Sequence, residues 1–184
     1  MKIVKYAISS ILCNLVRLVR FFPNNDPIMA FMLPFSRQGK WFSSAVFVFA
    51  TMFLFDFFTS GIGIWTWVTS ITYAVLGLGA HFYFKRKAKT GLLDYLGAGI
   101  GATLVFDFIT GVLFGPTLFG VPIWLAFLGQ IPFTLMHILS VSLYIVVLTP
   151  VLDKNILQNN ALEDASLFTA IKSLLKNKVF SSQN

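Results

Sequence analysis

Long apolar runs with almost no charge constrain this chain more than any other feature of its sequence. Charged residues make up 11% of the 184 residues, and the mean hydropathy is +0.79. A soluble domain needs about 25% charged residues to cover its surface. Several runs are long enough for a helix to cross the ~30 Å hydrocarbon layer of a bilayer. The sequence therefore predicts an all-α integral membrane protein.

The runs divide the chain into a membrane domain, residues 1–152, and a polar tail, residues 153–184. Five runs each predict one transmembrane span: residues 3–19, 42–60, 65–84, 92–114 and 131–152. The shorter run at 28–35 predicts a sixth span if its helix continues to Lys40, and a re-entrant segment if it does not. We expect a polytopic bundle of six transmembrane helices, with five spans plus a re-entrant segment as the alternative.

Smaller patterns predict two contacts made by these helices. Gly97 and Gly101 form a small-xxx-small pair inside an apolar run, which is typical of helix–helix contact in membranes. In the tail, apolar residues at helical spacing lie beside lysines and predict an amphipathic C-terminal helix. We expect this helix to lie on the anionic inner membrane surface or on a partner protein.

The basic residues predict the orientation of the membrane domain. Of the 14 lysines and arginines, all but Arg17 and Arg20 fall on one side of the membrane, whether the chain has six spans or five. That side is cytoplasmic by the positive-inside rule. The clusters therefore indicate a multi-pass protein of the cell membrane and no nucleic-acid partner. Charge alone does not place the N-terminus, which is inside with six spans and outside with five.

A short motif with an acid at its centre occurs twice, near the outer end of two spans. Phe-Asp-Phe-Phe-Thr at residues 55–59 returns as Phe-Asp-Phe-Ile-Thr at residues 106–110. A carboxylate inside a span costs roughly 2.5–3.5 kcal/mol on the insertion scale, so two matched acids predict a site. The alternative is that each acid reaches outer water or pairs with Arg17 or Arg20. The predicted binding cavity opens outwards and is lined by Asp56, Thr59, Trp65, Trp67, Asp107, Thr110, Trp124, Gln130 and His137.

No motif in the sequence indicates catalysis or a bound cofactor. It contains no phosphate-binding loop, no dinucleotide fingerprint and no His-Glu-x-x-His. The two histidines lie towards opposite faces of the membrane and cannot share a metal ion. We therefore expect no enzymatic activity, no metal and no cofactor. Two acids at one site favour a small-molecule ligand with an amine, an amidine-like group or several hydrogen-bond donors.

A series of short motifs follows in a fixed order through the membrane domain. They are Arg-Phe-Phe-Pro-Asn (20–24), Asp-Pro-Ile-x-Ala (26–30), Arg-Gln-Gly-Lys (37–40), Phe-Asp-Phe-Phe-Thr-Ser-Gly-Ile-Gly-Ile-Trp-Thr (55–66) and Tyr-Ala-x-x-Gly-Leu (73–78). Over residues 1–152 this order resembles the substrate-binding S components of energy-coupling-factor transporters. These are bacterial and archaeal importers of vitamins and related micronutrients.

The resemblance implies six helices, a binding pocket near the outer face and a gate formed by the loop Phe21–Pro27, with Asn24, Asn25 and Asp26 as polar contacts. It also implies a transmembrane coupling subunit and two cytoplasmic ATPases as partners. The family often docks through Ala-xxx-Ala on its first helix, a motif that this chain lacks because Ile11 follows Ala7. The docking residues expected in its place are Ala7, Ser9, Ser10 and Cys13.

These patterns together predict the substrate-capture subunit of an ATP-driven micronutrient importer. Two other functions agree with the same residues. One is a structural membrane subunit of a larger complex, in which the acids belong to ion pairs. The other is a stand-alone carrier coupled to protons or cations.

Overall fold

The computed structural model describes residues 3–19 and 24–153, which form helices joined by short loops. This confirms the predicted all-α class for those residues. The predicted tail helix lies outside them. In chain order the elements are α1 (Ile3–Val19), α2 (Ile28–Gln38), α3 (Ser43–Phe58), α4 (Ile64–Lys85), α5 (Leu92–Asp107), a π-helical segment (Phe108–Phe114), α6 (Gly115–Phe119) and α7 (Ile123–Val151).

Among the described residues, two helices are long and apolar enough to cross a membrane. One is the continuous helix Leu92–Phe119, formed by α5, the π-helical segment and α6, and the other is α7. The outer surface of the bundle is rich in exposed apolar side chains, such as Leu93 and Leu139 with 82% and 67% of their surface exposed. Large exposed apolar surfaces mark contact with a membrane or a partner.

The core is built around α2, whose residues Ile28–Ser36 are all buried. This helix packs against α1, α3, α4, α5 and α7. It begins where Asp26 Oδ1 accepts a hydrogen bond from the Ile28 N–H at 3.0 Å. With 11 residues it is about 16 Å long at 1.5 Å per residue, roughly half the thickness of a bilayer core. The loop that precedes α2 therefore reaches into the bundle.

The helices α3 and α4 approach most closely at Gly77. A Cβ atom on Gly77 would lie 3.1 Å from the Ala45 nitrogen and 3.2 Å from the Ser44 carbonyl carbon. The hydroxyls of Ser44 and Ser36 both donate to the Gly77 carbonyl, at 2.8 and 3.3 Å. Three helices thus meet at one glycine, where a side chain would push α3 and α4 apart.

The contact predicted for Gly97 and Gly101 is made instead by Gly99. A Cβ on Gly97 or Gly101 would meet no heavy atom within 4 Å, whereas on Gly99 it would lie 2.1 Å from Ile145 Cδ1. Gly99 is therefore the position at which α5 packs tightly against α7. Gly97 and Gly101 lie on a neighbouring face that no other part of the described chain covers.

The four residues predicted for partner docking are divided between the two faces of α1. Ser9 and Cys13 are fully buried in the bundle. Ser10 is half-buried and accepts a hydrogen bond from the Thr51 hydroxyl at 3.0 Å. Only Ala7 lies on the exposed face, beside Ile3 and other large apolar residues of α1. The docking role of this helix stays a prediction.

Charged pairs cluster at the end of the bundle where α2, α4 and α7 finish. Arg37 forms an ion pair with Asp153 at 3.0 Å, and the Gln38 amide also donates to that carboxylate. Lys87 pairs with Asp94 at 2.6 Å, and the hydrogen bond to Asp94 raises the pKa of Lys87 above its ordinary value. We refer to this as the basic end.

Candidate functional site

A cavity of about 400 Å³ lies at the opposite end of the bundle from the basic end. It forms where the C-terminal parts of α1, α3 and α5 meet the N-terminal parts of α4 and α7. A volume of this size is within the range of small-molecule sites, about 300–1,000 Å³. The cavity is lined by Arg17, Asn24, Asn25, Asp26, Met52, Asp56, Trp65, Thr69, Tyr73, Phe106, Thr110, Gly111, Gln130, Phe133 and His137.

The deepest polar group of the cavity is the Asp26 carboxylate, in the loop before α2. Its Oδ1 accepts from the Ile28 N–H, and its Oδ2 accepts from the Tyr73 hydroxyl and faces His137 Nε2 at 3.2 Å. Tyr73 lies in the third turn of α4, about 14 Å from its first residue at 1.5 Å per residue. Asp26 therefore lies at the base of the cavity, and its hydrogen bonds favour the ionised carboxylate.

His137 joins this carboxylate to a second one. Its Nδ1 lies 2.8 Å from Asp107 Oδ1, and all three side chains are buried. A neutral imidazole has one N–H, whereas both ring nitrogens here face a carboxylate oxygen. Either the ring carries both protons or one carboxyl group carries the second. The chain Asp26–His137–Asp107 thus holds two protons and connects three elements of the fold.

Asp107 lies behind the cavity wall and not on its surface. Only 1% of its surface is exposed, and its Oδ2 has no hydrogen-bond partner. It reaches the cavity only through His137, which lines it. The sequence predicts that Asp56 and Asp107 face one site. In the structure Asp56 lies on the cavity surface, and Asp107 lies behind it.

The Asp56 carboxylate lines the cavity without a partner. It is half-buried, and no side chain of the described residues forms a hydrogen bond or an ion pair with it. Its backbone carbonyl ends α3 by accepting from the N–H groups of Thr59, Ser60 and Gly61. The structural pairing of Asp56 with Arg17 is not present. This carboxylate is therefore free to meet a bound molecule.

The loop residues Asn24 and Asn25 are held by hydrogen bonds at the base of the same cavity. Asn24 has a φ of +56°, a left-handed conformation that asparagine tolerates, and its amide donates to the Phe133 carbonyl at 3.0 Å. The Asn25 amide donates to the last carbonyls of α1, at Val16 and Arg17, and its oxygen accepts from the Tyr144 hydroxyl. Together with Asp26, the loop thus contacts α1, α4 and α7.

The π-helical segment shapes the wall next to α7. A π-helix widens the backbone and is frequent at functional sites. Within it, Thr110 and Gly111 line the cavity, and the Thr110 hydroxyl donates to the Phe106 carbonyl at 2.8 Å. A Cβ on Gly111 would lie 1.9 Å from Gln130 Oε1, so the glycine leaves room for the glutamine side chain.

The structure brings together most of the predicted site residues but leaves three away from the cavity. Trp65 lines it, with its ring 6.0 Å from that of Phe119. Trp67 packs instead against Phe53, Trp124 is 63% exposed, and the exposed Thr59 donates to its own helix. The residues that the structure places at the cavity are Asn24, Asn25, Asp26, Asp56, Trp65, Thr110, Gln130 and His137, with Asp107 directly behind.

Other lining residues were not among the sequence candidates, although the sequence carries a signal for them. They repeat every four residues from a predicted one: Met52 before Asp56, Thr69 and Tyr73 after Trp65, and Phe106 before Thr110. Such spacing places side chains on one face of a helix. Extending each candidate by one turn in both directions, and Trp65 by a second turn, identifies them. The sequence predicts Arg17 only as an ion-pair partner of Asp56 or Asp107, not as a lining residue.

The described residues offer no metal site, since no three His, Cys, Asp or Glu side chains among them are grouped to hold an ion. Comparison of the chain with protein-family models, with curated proteins and with solved structures finds no match. A function must therefore be argued from the cavity itself.

Proposed function

We propose that this chain is a multi-pass protein of the cell membrane, with six transmembrane helices and the cavity facing outwards. The placement of charge supports this topology. The basic residues from Arg37 to Lys89 lie towards the end opposite the cavity, where the positive-inside rule places the cytoplasm. The short α2 counts as the second span, and it crosses together with its flanking residues.

Cysteine labelling in intact cells tests this topology. A cysteine at Ser60, exposed at the cavity end, is expected to react with an impermeant thiol reagent, whereas one at Ala88, exposed at the basic end, is expected to resist. A cysteine at position 2 is expected to resist as well, because six spans place the N-terminus inside. The native Cys13 is buried and provides an unreactive background. Labelling at position 2 would establish an odd number of spans.

The chain acts, in this proposal, as the substrate-capture subunit of an ATP-driven importer for a vitamin or related micronutrient. The observation that carries the proposal is the cavity with one unpaired carboxylate, Asp56, beside a fully buried polar network. A carboxylate that no described side chain pairs with, on the wall of a cavity, is available to pair with a cationic or hydrogen-bond-donating group of a ligand. Since the sequence has no nucleotide-binding motif, the energy comes from partners, a transmembrane coupling subunit with two cytoplasmic ATPases.

The loop before α2 connects the bound molecule to the fold in this proposal. Asn24, Asn25 and Asp26 line the cavity and also hold the ends of α1 and α2. A ligand that contacts them acts directly on the contacts between α1, α2 and α7. This arrangement suits a gate, since gating loops combine ligand contacts with a few hydrogen bonds that can exchange.

Replacing Asp56 by asparagine tests the capture function. The purified wild-type protein is expected to retain one small molecule per chain, detected by mass spectrometry after denaturation. Asp56→Asn keeps the side-chain size and removes the charge, so binding should weaken by about 1.5–3 kcal/mol, or roughly 10- to 150-fold. Because no side chain of the described residues pairs with Asp56, the unfolding temperature is expected to stay within about 2 °C of wild type.

The matched control is Asp94→Asn, which removes a carboxylate at the basic end and should leave retention unchanged. Full retention by Asp56→Asn would contradict the assignment of Asp56. Absence of any retained molecule in the wild type, under several growth conditions, would contradict capture.

A stand-alone proton-coupled carrier is the second candidate, favoured by the Asp26–His137–Asp107 chain. Buried acid–histidine chains within membrane bundles are typical of proton relays. The two functions differ in their need for partners. Uptake of a labelled substrate by liposomes that contain this chain alone, driven by a pH gradient, would favour the carrier and exclude the capture subunit.

A further inference from the structure

Arg17 is a second charged group that lines the cavity, and it forms no ion pair with a side chain of the described residues, although it lies close enough to Asp26 for a longer-range attraction. Its guanidinium carbon lies 4.2 Å from the centre of the Phe55 ring, and Nη1 contacts the Met52 sulphur. A thioether is a weak acceptor, and the guanidinium has five N–H donors. No carboxylate of the described residues lies within ion-pair distance of it. Most of its hydrogen-bonding capacity is therefore unused.

Arg17 and Asp56 lie near each other but form no ion pair. Arg17 contacts Met52 and Phe55, which lie one turn and one residue before Asp56 on α3. Both charged groups line the same cavity, yet no ion pair joins them. The other charged residues of the cavity are already paired, since Asp26 and His137 bind each other. Among the described residues, one cation and one anion of the cavity thus form no ion pair and are available to a bound molecule.

We infer that the cavity selects a bipolar small molecule, one that carries both a cationic and an anionic group. The cationic group pairs with Asp56, and the anionic group, a carboxylate or a phosphate, pairs with Arg17. The Trp65 ring at the mouth provides an aromatic surface for the body of the molecule. This inference rests on the proposed capture function and narrows its substrate class.

The same two residues disfavour ligands with a single charge. A purely cationic molecule would satisfy Asp56 but leave Arg17 uncompensated beside a second cation. A purely anionic molecule would pair with Arg17 but leave Asp56 uncompensated beside a second anion. Like charges at close range in a partly buried site oppose binding. Only a molecule with both groups compensates both residues at once.

The test uses yeast extract as a mixed source of small molecules. Ion exchange separates its low-mass fraction into cationic, anionic, amphoteric and neutral pools, and each pool is added to the washed wild-type protein in detergent. We expect the amphoteric pool alone to raise the unfolding temperature, by about 5 °C or more for a ligand well above its Kd.

Two variants connect the effect to the two residues. Arg17→Gln and Asp56→Asn should each abolish the shift with the amphoteric pool, and Arg86→Gln, an exposed arginine at the basic end, should retain it. A stabilising effect of any other pool on the wild type would overturn the bipolar inference and leave capture standing. No effect of any pool would overturn both. Since the pools are compared on the wild type, the result does not depend on the folding of a variant.

A double-mutant cycle tests whether side-chain rotation brings Arg17 and Asp56 into a direct ion pair. The unfolding temperatures of Arg17→Gln, Asp56→Asn and the double variant are compared without added pools. Additive effects are expected for two unpaired residues, and strong non-additivity would show that they pair with each other and overturn the inference.

Discussion

The variant His137→Ala is expected to lose about 3–5 kcal/mol of unfolding free energy, the largest effect of any single side chain in the site. His137 is 3% exposed and lies between the buried carboxylates of Asp26 and Asp107. Its two ring nitrogens each contact one carboxylate, so the ring separates the two acids and compensates for their burial. Its removal leaves two acids facing each other across an empty space, and at least one must then bind a proton. The measurement is the unfolding temperature in detergent, followed by tryptophan fluorescence.

The other histidine provides the control. His81 is half-buried in α4 and makes one hydrogen bond, between Nδ1 and the Ser36 carbonyl at 2.9 Å. His81→Ala removes a similar volume and one bond, so we expect a loss of about 1 kcal/mol. A third variant, Asp107→Asn with His137 present, should fall between the two, because the amide still accepts from the ring. Equal losses for His137→Ala and His81→Ala would show that the buried chain contributes no special stability.

The fold class could be predicted from the sequence because it depends on composition. The apolar runs are long enough to form the helices of the bundle, and α1, α3, α4 and α5 begin within a few residues of the predicted bounds. The error at α7 has a simple cause. The Gly and Pro residues between 115 and 129 predict an ordered loop with a short interfacial helix and a last span that begins at Ile131, whereas α7 already begins at Ile123. Pro116 and Pro122 lie at the starts of α6 and α7, where a missing N–H is harmless.

The site could be predicted in part. The cost of a charge in an apolar run identified Asp56 and Asp107 without any structure. This insertion cost is the same for both acids, whereas their surroundings in the structure differ. Asp56 faces the cavity, and Asp107 faces His137. Which of two acids has a protein partner depends on distances between elements far apart in the chain. Sequence spacing within one helix does not contain that information.

The packing glycines show the same limit at a finer scale. Gly97 and Gly101 carry the spacing typical of helix contact, but Gly99 makes it. All three lie within one short segment of α5, and the small-residue pattern alone does not identify which face of the helix meets a neighbour. The face is fixed by the partner, here Ile145 of α7.

The second large effect is expected at Gly77, where replacement by leucine should destabilise the protein by about 3 kcal/mol relative to the same change at Gly79. Both glycines lie in α4, so both variants gain the same helix propensity and the same apolar side chain. They differ in what the new side chain meets. At Gly77 its Cβ atom meets the backbone of Ser44 and Ala45, and at Gly79 its Cβ atom meets no heavy atom within 4 Å.

The physical reason is that backbone atoms cannot move aside as a flexible side chain can. A Cβ at Gly77 already lies 3.1 Å from a backbone nitrogen, and the larger leucine must separate α3 from α4. Separation also breaks the bond from the Ser44 hydroxyl to the Gly77 carbonyl. Because Asp56 and Trp65 line the cavity from these two helices, small-molecule retention should fall as well. Gly77→Leu and Gly79→Leu with equal unfolding temperatures and equal retention would show that α3 and α4 do not pack through Gly77.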